Sequence, residues 1–294
     1  MKTAYLGTSA FAAAVLERLA SSPHRPTLVI SRPDAPFGRG RKLTPPPVVE
    51  VARGLRIEVF QPESVNTPET VARIAGVDTV VVCAFGALIK EPLLSARPIL
   101  NVHPSLLPRW RGAAPIERAI LAGDSWTGVS IMKLTAGLDS GPVYATRRVR
   151  IHEGEDFSTL SHHLEEAGAE LLIRVLDKPG RPKEQPQEGV TYAEKIMAED
   201  RLLDPLNASA LELSRRVRAL AGHIGTYLEV DGVRLGVAVA MPGNGLLAPG
   251  ELDLGGPKDA PSIGCLEGVL DLLVVQPPGK QAMDARAWAR GLRR

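Results

Sequence analysis

A chain of 294 residues is long enough for two domains that each bury a core, and 44% apolar with 23% charged residues is an ordinary soluble, globular composition. No run approaches the roughly eighteen unbroken apolar residues that span a bilayer, and Met1 to Gly7 enters a strand pattern with none of the layout of a secretory signal, so no membrane partner and a cytoplasmic location are expected. A net charge of +2 does not by itself argue for nucleic acid, and two cysteines, Cys83 and Cys265, support neither a disulfide framework nor a cysteine zinc site, so no metal centre is expected.

In chain order, residues 2–6 read as a strand and 10–20 as a helix capped by Ser9, followed by a strand at 27–31. Residues 32–43 are too rich in Pro and Gly for a regular element and read as a loop, in which Arg32, Arg39, Arg41 and Lys42 face one acid, Asp34. Helix 46–53, strand 56–60, helix 68–75 and the β-branched strand 79–83 continue an alternation that implies right-handed βαβ units and a doubly wound, mostly parallel sheet. Strand 98–103, helix 113–122, strands 128–134 and 142–151 and helix 158–176 complete this α/β half. Residues 177–200 contain Lys178-Pro179-Gly180-Arg181-Pro182 and Gln185-Pro186-Gln187, a composition that suits a linker. The expected division is a first domain over 1–183, a linker over 184–203 and a second domain over 204–294. In the second domain, helix 208–220 precedes two alternating runs joined by Asp231-Gly232 as a hairpin. Strands at 262–266 and 269–275 and helix 283–291 then suggest a small antiparallel barrel.

The first strand-to-helix turn, Gly7-Thr8-Ser9-Ala10-Phe11, lacks the Gly-x-Gly-x-x-Gly of dinucleotide binders, which disfavours nicotinamide and flavin cofactors. Chemistry concentrates instead in Asn101-Val102-His103-Pro104-Ser105-Leu106-Leu107-Pro108 at the end of a strand. Residues two apart in a strand project to the same side, so an amide and an imidazole can meet one substrate atom. A lone histidine there is more often a buried side chain satisfied by backbone. Gly137-Leu138-Asp139-Ser140-Gly141 adds a carboxylate between two strands, close enough in such a sheet to orient an imidazole, although Asp in a glycine-bracketed turn is commonly a turn former.

Asn101-Val102-His103 with Ser105-Leu106-Leu107-Pro108 and Gly137-Leu138-Asp139-Ser140-Gly141 resembles the signature of the 10-formyltetrahydrofolate-dependent formyltransferases. Arg39-Gly40-Arg41-Lys42-Leu43, Trp110-Arg111-Gly112-Ala113-Ala114-Pro115-Ile116, Thr191-Tyr192-Ala193-Glu194-Lys195-Ile196 and Gln276-Pro277-Pro278-Gly279-Lys280 are similar to the methionyl-tRNA branch. The resemblance implies a Rossmann-like formyltransferase domain followed by a smaller, OB-like β-barrel that binds tRNA. It implies a monomer with no permanently bound cofactor, taking 10-formyltetrahydrofolate as donor and initiator methionyl-tRNA as acceptor. Asn101, His103 and Asp139 become the expected catalytic residues. Phe85, Gly86, Leu88, Ile89, Ser105, Leu106, Leu107, Pro108, Ala136 and Gly137 become the expected folate contacts, with apolar core as the alternative for some of them. Arg39, Arg41, Lys42 and Lys280 are the expected tRNA contacts. Two departures stand out: Pro104 replaces an expected Gly or Ala, and Ala221-Gly222-His223-Ile224-Gly225 replaces an Asn-Pro-aromatic-Pro turn. The rival readings are a formyl-folate hydrolase, a sugar or purine formyltransferase, and a catalytically silent RNA- or folate-binding protein.

Overall fold

A computed structural model describes residues 1–38, 40–256 and 259–292. The chain divides into two compact units, one made of Met1–Pro115, Trp126–Arg150 and Ser161–Ala193 and the other of Ile116–Ser125, Ile151–Leu160 and Glu194–Arg294.

The first unit is built on a seven-stranded sheet in the order Val143–Arg150, Trp126–Lys133, Ile99–His103, Thr79–Cys83, Thr3–Gly7, Pro26–Ile30, Glu58–Phe60. The five strands from Ile99–His103 to Glu58–Phe60 run parallel, and Trp126–Lys133 and Val143–Arg150 add at the other edge, each paired antiparallel with its neighbour. The expected mostly parallel, doubly wound sheet is present. From Thr3–Gly7 the chain first builds outward through Pro26–Ile30, then returns to add Thr79–Cys83 on the other side, which makes the topological switch at which such sheets bind ligands. Thr79–Cys83 is buried along its whole length, as a continuous Val run covered on both faces must be. The first helix, Ala10–Ala20, starts where Ser9 accepts a hydrogen bond from the Ala12 N–H at 3.3 Å. Tyr5, fully buried beneath it, satisfies its hydroxyl on the Ala12 carbonyl at 2.6 Å. An apolar cluster of Leu6, Ile30, Ile74, Val80, Phe85 and Leu93 fills one side of the sheet.

One expectation needs revision. The segment read as a loop over 32–43 contains an antiparallel pair, Ala35–Phe37 with Lys42–Thr44, in the register Ala35 to Thr44 and Phe37 to Lys42. A two-stranded ribbon exposes its outer edges, so Pro36 costs it no interior ladder bond, and Gly38 (φ 70°) and Arg41 (φ 47°) supply the left-handed turn. The stretch 184–203, expected as a linker, holds more structure than its Pro content suggests. Tyr192–Ala193 forms a short parallel pair with Arg111–Gly112, and Glu199–Arg201 is a turn of 3-10 helix.

In the second unit, helix Ala210–Leu220 opens with a reciprocal capping box between Ser209 and Glu212. It lies with an antiparallel sheet ordered Thr226–Val230, Val233–Gly243, Val269–Gln276, Ser262–Gly264, Leu252–Asp253, to which Met283–Asp284 adds beside Val269–Gln276. Asp231 and Gly232, at φ 50° and 75°, form the expected two-residue hairpin turn. Leu213, Val217, Leu228, Val237, Leu270 and Leu272 form the core of this unit. No helix among the described residues is long and apolar enough to cross a membrane.

Candidate active site

Strand Ile99–His103 is buried throughout and sits between the parallel strand Thr79–Cys83 and the antiparallel strand Trp126–Lys133. Asn101 lies opposite Met132 and His103 opposite Ser130, so amide and imidazole share one face of the sheet, as the two-residue spacing predicts. Asp139 joins them from the turn between Trp126–Lys133 and Val143–Arg150. Its Oδ1 accepts a hydrogen bond from Asn101 Nδ2 at 3.3 Å, its Oδ2 accepts the Gly112 N–H at 2.9 Å, and the same Oδ2 stands 3.6 Å from His103 Nδ1. Burial is deep: the His103 and Asp139 side chains are 5% and 13% exposed.

The tautomer follows from the partners. His103 Nε2 lies 2.8 Å from the Trp110 carbonyl oxygen, which can only accept, so Nε2 carries a hydrogen and Nδ1 is the nitrogen turned to Asp139. The ring is therefore pinned at one nitrogen, with the other beside the carboxylate.

Backbone geometry holds this arrangement in place. Trp110 at φ 61°, Gly112 at φ 127° and Asp139 at φ 40° all lie at positive φ, where a segment keeps its shape only if other contacts fix it. The Trp110 N–H donates to Thr191 Oγ1 at 2.9 Å, the Arg111 N–H to the Thr191 carbonyl at 2.9 Å and the Ala113 N–H to the Ala193 carbonyl at 2.8 Å. A Cβ on Gly112 would lie 2.6 Å from that Ala193 oxygen, so only glycine allows this approach. Gln185 secures the Asp139 turn from below, its Nε2 donating to the carbonyls of Asp139 and Gly141, each at 2.8 Å. Its Oε1 accepts from buried Arg111 at 3.0 and 2.7 Å. The Ser105 hydroxyl donates to the Arg109 carbonyl at 2.6 Å, and Ser130 Oγ donates to the Ser105 carbonyl at 2.7 Å while accepting the Leu107 N–H at 3.2 Å. The chain after His103 is thereby folded back over the strand end.

Residues 1–176 match the model of the formyl transferase family, and residues 195–293 match the model of the formyl transferase C-terminal domain. The chain belongs to the formyl transferase family. It is 40% identical over 296 residues to a methionyl-tRNA formyltransferase of Thermus thermophilus, covering 99% of this chain and 96% of that one. It is 38% identical to the methionyl-tRNA formyltransferase of a Jannaschia species, covering 100% and 97%. Among solved structures, an N-formyltransferase from Helicobacter canadensis in complex with folinic acid and dTDP-3-aminofucose has the same fold, with a TM-score of 0.69 at 14% identity over 92% of this chain and 99% of that one. HypX from Aquifex aeolicus, solved in complex with tetrahydrofolic acid, aligns with a TM-score of 0.68 at 17% identity over 99% of this chain, which spans 47% of that longer protein.

In this formyl transferase the residues expected around the donor fall into three environments. Phe85 and Ile89 are buried in the apolar cluster beside the switch point, whereas Leu88 is 66% exposed. Phe85, Gly86 and Leu88 also border a cavity of about 660 Å³ whose other walls include Thr8, Arg32, Pro45 and Asn66, and which includes none of Asn101, His103 and Asp139. Ser105 is fully buried with its hydroxyl engaged, Leu106, Leu107 and Pro108 are half-buried, and Ala136 and Gly137 are exposed on the turn that carries Asp139. Of the expected tRNA contacts, Arg41, Lys42 and Lys280 are exposed, while Arg39 lies outside the described residues.

Sequence reasoning missed the Trp110 carbonyl, Gln185 and the Thr191 hydroxyl. A carbonyl acceptor is common to every residue type and leaves no trace in sequence. Gln185 was hidden in a Pro-rich stretch that suited a linker, and Thr191 was visible only through the Thr191-Tyr192-Ala193 resemblance. Two buried groups lie outside the chemistry: burial pushes the Cys83 thiol up to about 12 and the Tyr5 phenol well above its ordinary value.

Proposed function

We propose that this chain transfers the formyl group of 10-formyltetrahydrofolate to the α-amino group of initiator methionyl-tRNA, giving N-formylmethionyl-tRNA and tetrahydrofolate. The observation that carries this reading is the 40% identity to a methionyl-tRNA formyltransferase along nearly the full length of both chains, catalytic and C-terminal regions included. The Asn101, His103 and Asp139 cluster supports it chemically.

In the reaction the amine lone pair forms the new N–C bond to the formyl carbon. The resulting tetrahedral oxyanion collapses, the bond from carbon to folate N10 breaks, and the proton lost by the amine ends on N10. A free α-amino group titrates near ~8, so an appreciable fraction is neutral at physiological pH and the larger requirement is stabilisation of the oxyanion. We assign that role to Asn101, which has a second amide hydrogen besides the one given to Asp139, and to His103, whose Nδ1 takes the proton released by the attacking amine and, once it carries that hydrogen, donates toward the oxyanion before passing it to N10. Asp139 orients His103 and balances its charge while a proton is in transit between amine and N10. The donor contacts are assigned to Phe85, Gly86, Leu88, Ile89, Ser105 to Pro108, Ala136 and Gly137, with the buried Ser105 and Ile89 acting as support for their neighbours. Arg39, Arg41, Lys42 and Lys280 are assigned to tRNA. The corresponding division is a catalytic domain over 1–183, a connection over 184–203 and a tRNA-binding domain over 204–294, working as a monomer in the cytoplasm.

One assay tests the reading: 10-formyltetrahydrofolate is offered with charged initiator tRNA, with glycinamide ribonucleotide, or with water alone. Formylated methionyl-tRNA is expected. Transfer only to the small amine, or formate release unaffected by tRNA, overturns it. Asn101→Ala is expected to lose ~3 kcal/mol of transition-state stabilisation, roughly two orders of magnitude in turnover, with donor affinity little changed. Wild-type turnover from that variant would remove Asn101 from the chemistry.

A further inference from the structure

The antiparallel edge of the first unit's sheet extends past the catalytic strand. His103 stands opposite Ser130, and Ser130 opposite Thr146. Two residues further out Gly128 faces Arg148, and two further again Trp126 faces Arg150. Alternation along a strand puts all of these on the face that carries Asn101 and His103. Arg147, out of phase by one, pairs instead with Glu170 of helix Phe157–Asp177. The two outer rows lie beyond the carboxyl end of the His103 strand, on the side where open α/β sheets bind their ligands. At ~3.4 Å per residue, Trp126 is about 14 Å along the strand from the His103 row. Between them lies Leu106 of the catalytic loop, close enough to Gly128 that a Cβ there would come within 2.6 Å of Leu106 Cδ2.

Trp126 is 46% exposed, and the Arg148 guanidinium lies 4.5 Å from its ring centroid. Arg148 and Arg150 are both exposed, and neither has an acidic partner among the described residues; Asp124, the nearest acid in sequence, has a partner of its own. Charged residues on an edge strand often guard it against pairing with other chains. That explains two arginines but not the costly exposure of an indole beside them.

Resting on the methionyl-tRNA reading, we propose that Trp126, Arg148 and Arg150 form a platform for the single-stranded acceptor end of the tRNA. A base stacks on the indole, and the two guanidiniums meet successive phosphates. Single-stranded nucleic acid is bound by this combination of aromatic face and cationic groove. A polyglutamate folate tail would match the charges but brings no second ring to the indole.

The test compares full-length wild type with Trp126→Ala, Trp126→Phe and an Arg148→Ala/Arg150→Ala double variant. Filter binding of deacylated initiator tRNA is measured across a salt series, alongside KM values for methionyl-tRNA and for mono- and triglutamyl 10-formyltetrahydrofolate. Trp126→Ala and the double variant are each expected to weaken tRNA binding on the order of ten-fold, with Trp126→Phe restoring most of the loss. The double variant should also flatten the log–log salt dependence by about 1.4, ~0.7 for each phosphate contact of a single strand. The KM for methionyl-tRNA rises in step and the donor KM values stay put. Unchanged tRNA affinity and salt slope in the double variant overturn the platform, whatever Trp126→Ala does to folding. A KM increase confined to the triglutamyl donor also overturns it, giving the face to the folate tail. Binding requires no turnover, so a wild-type protein that holds tRNA through this face but formylates nothing refutes the proposed reaction and keeps the platform.

Discussion

Gln185 anchors the turn that carries Asp139 through a single buried amide, and two substitutions separate its two functions. Its Nε2 holds the carbonyls of Asp139 and Gly141, and its Oε1 holds Arg111; Gln185 and Arg111 are only 8% and 7% exposed. Gln185→Leu removes both sets. Two neutral hydrogen bonds at ~1 kcal/mol each, plus ~2 kcal/mol for acceptors withdrawn from a buried guanidinium, give a loss of about 4 kcal/mol. That is a large share of the ~5–15 kcal/mol that typically holds a folded protein together. Gln185→Glu leaves an acceptor for Arg111 but replaces the donor with an oxygen facing two carbonyls. Its stability loss is about 2 kcal/mol, offset in part by the new charge pair with Arg111. The turn, released where Asp139 sits at φ 40°, no longer holds the carboxylate against Asn101 and His103. Denaturant unfolding and turnover at saturating substrates are measured together on both variants. The expected order of stability is wild type, Gln185→Glu, Gln185→Leu, with turnover of the Glu variant reduced on the order of ten-fold or more despite its smaller stability loss. Full turnover from Gln185→Glu would show that Gln185 does not position Asp139. An unchanged unfolding midpoint for Gln185→Leu would refute the hydrogen-bond arithmetic.

Gly112→Ala places a methyl 2.6 Å from the Ala193 carbonyl at φ 127° while its N–H is a donor to Asp139, so a strain cost of ~1–3 kcal/mol and reduced turnover are expected together; wild-type melting and activity would refute this. Burial pushes Cys83 to about 12 and Cys265 to about 11, so neither thiol is ionised in mildly alkaline buffer, and alkylation is expected only as fast as the protein unfolds. Rapid labelling of the folded protein would contradict that. Hydrogen bonds from the Ser209 N–H and hydroxyl hold the Glu212 carboxyl below its ordinary value, a shift that stabilises the fold above the unfolded value near ~4.3 and fades as pH falls through the lowered one. Glu212→Gln should therefore unfold more easily than wild type near neutral pH and converge with it in acid; a constant difference across the titration would count against the charged cap.

What could be read from sequence was chemistry with a local signature. Helix Ala10–Ala20 announced itself through Ser9, strand Thr79–Cys83 through its β-branched run, and the second unit's hairpin through Asp231-Gly232. Asn101 and His103 were legible for the same reason, since a period of two places them on one face whatever the rest of the fold does. The strand pair Ala35–Phe37 and Lys42–Thr44 was not, because Pro and Gly argue against strands everywhere except at exposed edges and turns. The turn motif pointed to Asp139, yet nothing near it in sequence could reveal what holds it: Gln185 lies 46 residues beyond Asp139, and Thr191 lies 81 beyond the Trp110 N–H that it accepts. Such clamps join polar side chains to backbone groups, and a backbone group has no residue type to recognise. The side chains proposed for catalysis can therefore be found in one sequence while the groups that hold them in place cannot. Gln185→Glu addresses that separation, because it perturbs the aim of Asp139 and leaves Asn101, His103 and Asp139 themselves untouched.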